Sequence, residues 1–270
     1  MGVATFCFQG ELNYFLPSHQ KEVNFVHQFK ERPSIKDAIE SLGVPHPEVN
    51  YIVVDDTPPF NDDSWVNQQS VDFSYILQDG DRVTIYPAEI VPDVVPAIAL
   101  QPPLPTKPKF ILDVHLGKLA SSLRMLGFDT LYRNDYEDAE IAEIGAKEAR
   151  IILTRDRGVL MRSVVTYGYY VRSTKPNQQI VEILQRFNLL NSVKPFQRCI
   201  RCNGVLKAVD KQLILDQLPL QTRREIDKFH RCNNCSQIYW QGSHFSRMEK
   251  FVQQVLSNTK SNTYQQRTSG

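Results

Sequence analysis

The sequence predicts a chain of several domains: a small mixed α+β sheet first, a parallel α/β layer second, and a metal-stapled module last. Three observations carry that reading. Residues 1–90 follow the order β-β-α-β-β, residues from Lys109 onward repeat a βα unit, and two cysteine couples, Cys199-x-x-Cys202 and Cys232-x-x-Cys235, stand near the C-terminus. With 270 residues, 41% of them hydrophobic, the chain has apolar surface for two or three cores.

Residues 2–9 (GVATFCFQ) read as a strand and Val23–Phe29 as a second. Ser34 precedes Ile35, Ala38, Ile39 and Leu42 at helical spacing. It caps a short helix, Asp37 adds negative charge to the first turn, and Gly43 stops it. Val49–Val54 is a strand, and the turn at Gly80-Asp81 feeds the last strand of the first domain, 1–90. Six prolines from Pro92 to Pro108 make 91–108 a stiff, partly extended linker. In 109–194, Lys109–Asp113 is an apolar strand ending in an acid. Leu116, Leu119, Ala120, Leu123 and Leu126 mark a helix that Gly127 ends, and Phe128–Tyr132 is a strand. A helix over Ala139–Ala149 starts near Asp138. The strand Ile151–Thr154 runs into Arg155-Asp156-Arg157, and Tyr169–Arg172 and Gln178–Phe187 follow as strand and helix. Repeated βα units imply a parallel sheet with helices on both faces. Residues 195–256 hold the cysteine module, with a small helix or hairpin expected between the couples and a helix over Ser243–Leu256; the polar tail 257–270 is expected to be disordered.

The formal charge of +1 hides an asymmetry. Residues 1–90 hold 5 basic and 14 acidic side chains, residues 109–190 hold 12 and 10, and residues 196–250 hold 10 and 5. The cysteine end is therefore the better surface for a polyanion, and the front is a poor one. Four of five cysteines fall in the couples, which argues for metal in a reducing compartment over a disulfide scaffold. The longest apolar stretch, Ile90–Leu100, is broken by Pro92, Asp93 and Pro96, so no membrane segment is expected; the expected location is cytoplasmic.

Four thiolates close a tetrahedral shell around one Zn²⁺ and leave no position for water, so the zinc is structural. Three acids stand out upstream. Asp113 and Asp156 fall at carboxyl ends of strands, where ligands of such sheets collect, and Asp138 stands at a helix start. Carboxylates suit Mg²⁺ or Mn²⁺, and several are needed to hold the ion and leave room for water and a phosphate oxygen. Asp138 is equally a good N-cap, and aspartate after a strand is common in turns. Glu140 is a further candidate. Arg155, Arg157 and Lys118 either neutralise phosphates or make ordinary ion pairs and solvated surface. Tyr239 and Trp240 either stack on bases or pack the module.

The segment from Phe110 to Thr130 (FILDVHLGKLASSLRMLGFDT) resembles the opening of the Mut7-C RNase family, a branch of the PIN-like nucleases. Asp138–Ala142 (DAEIA) and Arg150–Arg157 (RIILTRDR) resemble its next blocks. R-C-x-x-C-N-G-x-L at Arg198–Leu206 and R-C-x-x-C at Arg231–Cys235 resemble its zinc ribbon. Asp79–Pro87 (DGDRVTIYP) is similar to the end of a ubiquitin-like β-grasp carrier of the ThiS and MoaD type. Such carriers end on a free Gly-Gly. Here the chain runs on into Glu89 and the prolines, which implies a fixed docking or regulatory domain that could meet a protein partner. The resemblance implies a β-grasp, a PIN-like sheet and a zinc ribbon in that order. It implies a metal-dependent ribonuclease acting on single-stranded RNA through Asp113, Asp138 and Asp156. Arg198, Arg201, Arg231, Tyr239, Trp240 and Arg247 would hold the strand. The alternatives are an RNA-binding adaptor with a weak site and a toxin-like RNase restrained by a partner. The family pattern includes a fourth acid, for which the strand ending near Arg172-Ser173 offers none.

Overall fold

The computed structural model describes residues 1–56 and 67–268. In chain order the strands and helices are β1 Gly2–Phe8, β2 Phe25–Phe29, α1 Ile35–Ser41, β3 Tyr51–Asp56, β4 Asn67–Val71, β5 Arg82–Tyr86, β6 Lys109–Leu112, α2 Gly117–Met125, β7 Asp129–Leu131, α3 Asp138–Lys147, β8 Ile151–Thr154, α4 Arg157–Leu160, β9 Gly168–Tyr170, α5 Pro176–Arg186, β10 Leu206–Val209, α6 Leu220–Glu225, β11 Phe229–Cys232, β12 Ile238–Trp240 and α7 Ser243–Thr268. Two compact units form. One is Met1–Thr106 with Asp138–Tyr170, the other Lys107–Glu137 with Val171–Gly270.

The first unit opens on a mixed sheet in the order β2-β1-β5-β3-β4, with β1 parallel to β5 and the other pairs antiparallel. The alternation of β1 turns Ala4, Phe6 and Phe8 inward, where they meet Ile35, Ile39, Ile52 and Ile85. Each of these Phe and Ile side chains contributes about 1.5–3 kcal/mol by leaving water. Ser34 caps α1 by accepting from the Asp37 N–H at 3.1 Å, and Gly43 leaves the helix at φ 91°, a conformation only glycine adopts without strain. Strand β4 was not expected: its sequence, NQQSV, has almost no apolar alternation, and pairing with β3 makes it a strand. The proline-rich linker lies along this sheet. The Leu100 N–H donates to the Asn50 carbonyl at 2.8 Å, and the Gln101 amide reaches the carbonyls of His46 and Val49.

Strands β8 and β9 of the same unit pair in parallel, Ile152 opposite Gly168 and Thr154 opposite Tyr170. A dense junction ties them to the mixed-sheet segment. His46 is buried; its Nδ1 lies 2.7 Å from the Glu40 carboxylate and its Nε2 2.8 Å from the Val165 carbonyl. Glu48, only 2% exposed, accepts from the Tyr170 N–H at 2.6 Å, and the Tyr170 ring packs on Tyr14 and Phe15.

In the second unit β6 and β7 pair in parallel, and α2 buries Leu119, Ala120 and Leu123. The three-stranded antiparallel sheet β10-β11-β12 packs Phe229 and Ile238 against Ile214 and Leu218 of the segment between the cysteine couples. That segment holds β10, a 3₁₀ turn at Lys211–Gln217 and α6. Helix α7 continues through the tail expected to be disordered, up to Thr268; Ser269 and Gly270 lie outside the described residues. Val252, Val255 and Thr259 form a buried stripe, and the Gln185 amide of α5 donates to the Thr259 carbonyl at 3.3 Å. Tertiary packing thus holds the helix as far as Thr259.

Candidate functional site

Asp113 ends β6 and caps the 3₁₀ turn Val114–Leu116: its Oδ1 accepts from the His115 N–H at 2.7 Å. It is 3% exposed, whereas the His115 ring, 3.5 Å from the same oxygen, is open to solvent. Asp156 follows β8 and caps α4, its Oδ1 accepting from the Gly158 N–H at 2.7 Å. The Thr154 hydroxyl accepts from the Asp156 N–H at 2.9 Å, so one short turn fixes both ends of this acid. Asp156 is exposed, and its Oδ2 has no partner among the described residues. Asp138 is exposed in the first turn of α3, and Glu140 stands beside it half-buried. Asp138 and Asp156 belong to the first unit and Asp113 to the second. Carboxylate oxygens are the donor type that Mg²⁺ and Mn²⁺ take, but among the described residues the group of three or more ligating side chains that comes together is the cysteine set.

The auxiliary cations have specific places. Arg157 Nη1 donates to the carbonyls of Gly43 at 3.3 Å and Phe15 at 3.4 Å, so its guanidinium is engaged by the mixed-sheet segment. The Arg155 guanidinium lies 6.0 Å from the centre of the Tyr170 ring, a cation–π arrangement. Lys118 is exposed on α2. At Arg172 and Ser173 an acid arrives that sequence order does not reveal. Glu182 of α5 accepts from the Arg172 N–H at 2.7 Å and the Ser173 N–H at 2.9 Å, so it fixes the backbone there.

The cysteine couples come together. All four Sγ atoms lie within 4.8 Å of one another, with Cys199 3.6 Å from Cys235 and Cys202 3.4 Å from Cys232. Sulfurs bound at ~2.3 Å to one tetrahedral ion stand about 3.8 Å apart, so this cluster fits Zn²⁺. The two couples are the same turn made twice. Cys199 N–H donates to Gly204 O and Asn203 N–H to Cys199 O; Cys232 N–H donates to Gln237 O and Ser236 N–H to Cys232 O. Asn203 and Ser236 sit at φ 67° and 58°, the left-handed corner that lets each turn close. A Cβ on Gly204 would stand 2.6 Å from the Cys232 sulfur, so no side chain fits there. Burial opposes ionisation of Cys232, but backbone N–H groups of Cys235 and Asn234 prevail and hold its pKa down at about 7. The Tyr239 hydroxyl lies 3.1 Å from the Cys199 sulfur, and burial next to that sulfur pushes its pKa up.

Of the residues expected to hold nucleic acid, Arg201 and Arg247 are exposed and Arg231 is half-exposed on β11. Arg198 is anchored, with Nη2 3.2 Å from Asp129 and Nη1 donating to the Asn203 carbonyl at 3.0 Å. Trp240 is half-buried against Phe229. Two residues passed over in the sequence lock the thiolate module to β7 and α2. Asn203 accepts from the Thr130 N–H at 2.9 Å and donates to Asp129 at 2.8 Å. Arg124, 4% exposed, donates to the carbonyls of Thr130, Tyr132, Ile200 and Arg201. The basic residues of α2 and the ribbon look alike in a sequence, and only the fold separates this brace from the open ones.

These features define a multidomain protein: a mixed-sheet domain, an α/β segment of parallel strands, and a four-thiolate module. Residues 108–252 match the Mut7-C RNAse domain and residues 1–91 match Mut7-C ubiquitin, so the chain belongs to the Mut7-C RNAse domain family. No curated protein and no solved structure matches it. Among the described residues no helix is long and apolar enough to cross a membrane.

Proposed function

We propose that the protein is a metal-dependent ribonuclease that hydrolyses phosphodiester bonds of single-stranded RNA. The observation that carries this reading is the match of residues 108–252 to an RNAse domain, within which Asp113 and Asp156 each end a strand of a parallel pair. Asp113, Asp138 and Asp156 would hold one or two Mg²⁺ or Mn²⁺ ions, with Glu140 as a further donor. Bound there, such an ion lowers the pKa of water and stabilises charge on the phosphoryl oxygens. The chain's own residues do the rest. Backbone N–H groups at His115 and Gly158 hold one oxygen of Asp113 and Asp156 in place, which fixes the direction of each carboxylate. Lys118, exposed on α2, would meet an adjacent phosphate, with Arg155 beside Asp156 in the chain as a further cation. Arg157 serves to hold the α4 turn, given its two carbonyl partners. The ribbon, through Arg201, Arg231 and Arg247, retains more of the strand, and its zinc is structural.

A cleavage assay on mixed cellular RNA with Mg²⁺ or Mn²⁺, mapping product ends, tests this reading. Asp113→Asn and Asp156→Asn are expected to lower the rate by at least 100-fold while the thermal transition stays within a few degrees. Wild-type rates in either variant would overturn the assignment. An adaptor would bind RNA with the same affinity in both variants and cleave none.

A further inference from the structure

One recess in the second unit is left unused by the acids and the thiolates. It has a volume of about 230 Å³ and lies where the start of the ribbon, its sheet and the first turns of α7 meet. Drug-sized ligand sites begin at roughly 300 Å³, so this one has room for a single flat ring system. Its walls are aromatic: Phe196, Trp240 and Phe245, with Phe196 and Phe245 4.5 Å apart at 43°. Lys228 and His230 stand exposed at its rim, Gln241 offers an amide, and no carboxylate lines it. Phe196 is held at φ 60°, where a bulky side chain is strained, and its N–H is anchored on the Met125 carbonyl at 2.9 Å. Strain of this kind persists only where the surroundings hold it, and here it keeps an aromatic ring in the wall of the recess.

We infer that this recess binds one nucleotide of single-stranded RNA, the base stacking on an aromatic face of its wall and its phosphate meeting Lys228 and His230. Three features select this occupant. The rings offer π-faces that any base can stack on but a peptide carboxylate cannot use, the Gln241 amide can pair with a base edge, and the Lys228 ammonium, at a rim with no lining carboxylate, suits a phosphate. A bare apolar groove for a protein helix would lack the cationic rim. The site deepens the ribonuclease reading, because it gives the ribbon a grip on the strand through residues other than the acids.

The test uses the full chain loaded with zinc, without added Mg²⁺ or Mn²⁺, and a fluorescein-labelled ten-nucleotide RNA followed by anisotropy. Phe245→Leu keeps the apolar volume but removes the π-face, and Lys228→Glu alters an exposed residue only. Each is expected to weaken binding roughly 5- to 100-fold, the value of one base stack or of a reversed phosphate contact, with zinc content unchanged. An oligomer of the same length with abasic sugars is expected to bind the wild type as weakly as the intact RNA binds Phe245→Leu. Equal affinity of intact and abasic strands, or wild-type affinity in both variants, would overturn the inference. Cleavage by the wild type would persist in that case and leave the ribonuclease reading standing. Loss of binding in the variants of a protein that never cleaves would uphold the recess and remove the ribonuclease.

Discussion

Gly204 shows how one missing side chain can decide a metal site. Its Cα faces the sulfur cluster so closely that a methyl group would sit 2.6 Å from Cys232 and 3.4 Å from Cys202. Gly204→Ala is expected to cut bound zinc from one ion per chain to well below half, read by metal analysis of the purified protein. Full occupancy would mean that the turn can shift outward. Asn203, next to it, combines a left-handed backbone with three polar contacts to β7 and Arg198. The cysteine spacing was legible because a metal imposes it locally. The work of Asn203 and Arg124 was not, since the partners that join the ribbon to β7 and α2 lie roughly 70 or more residues away in the chain and a lone asparagine or arginine carries no spacing signature.

At the level of elements, the junction of β9 with the mixed sheet rests on two buried polar groups, His46 and Glu48. Removing either leaves a buried partner without its hydrogen bond, which costs about 1–3 kcal/mol. His46→Ala and Glu48→Ala are therefore each expected to lower unfolding stability by that amount in urea titrations. A change below half a kcal/mol would show that water replaces the lost group. The elements that the sequence revealed are those with a period or a cap. The Ser34 cap, the β1 alternation and the Leu116–Leu126 stripe all appear where the pattern puts them. Strand β4 escaped because it is polar in sequence and exists through its neighbour β3. The strand-end acids were readable as positions, whereas the carboxylate of Glu182 reaches Arg172 and Ser173 from a helix and gives no local sign.

For the whole molecule, the ubiquitin-like segment is a structural partner of Asp138–Tyr170 within one unit. A truncation lacking residues 1–100 would uncover the Val165 carbonyl and the Tyr170 ring and strip Arg157 of its carbonyl partners. Its expected outcome is a lower cleavage rate and poorer solubility than the full chain. A rise in rate would instead mark the segment as an inhibitor. Metal removal acts elsewhere. Stripping zinc with a chelator is expected to unprotect amides across Cys199–Tyr239 in hydrogen exchange while the β1–β5 sheet keeps its protection, because the two sets of hydrogen bonds share no partner in their own sheets. Uniform loss of protection would mean that the thiolate module supports the entire chain.

The two units are interleaved along the chain, and this shapes how the protein can be made. The N-terminal 106 residues build a core of their own between Ala4 and Ile85 but complete their unit only with Asp138–Tyr170, and Lys107–Glu137 belongs to a unit that resumes at Val171. At ~5–20 residues per second on the ribosome, both units stay unfinished for several seconds. A stall or a premature stop between residues 107 and 170 therefore releases two incomplete halves at once, a hazard that a linear string of domains would avoid.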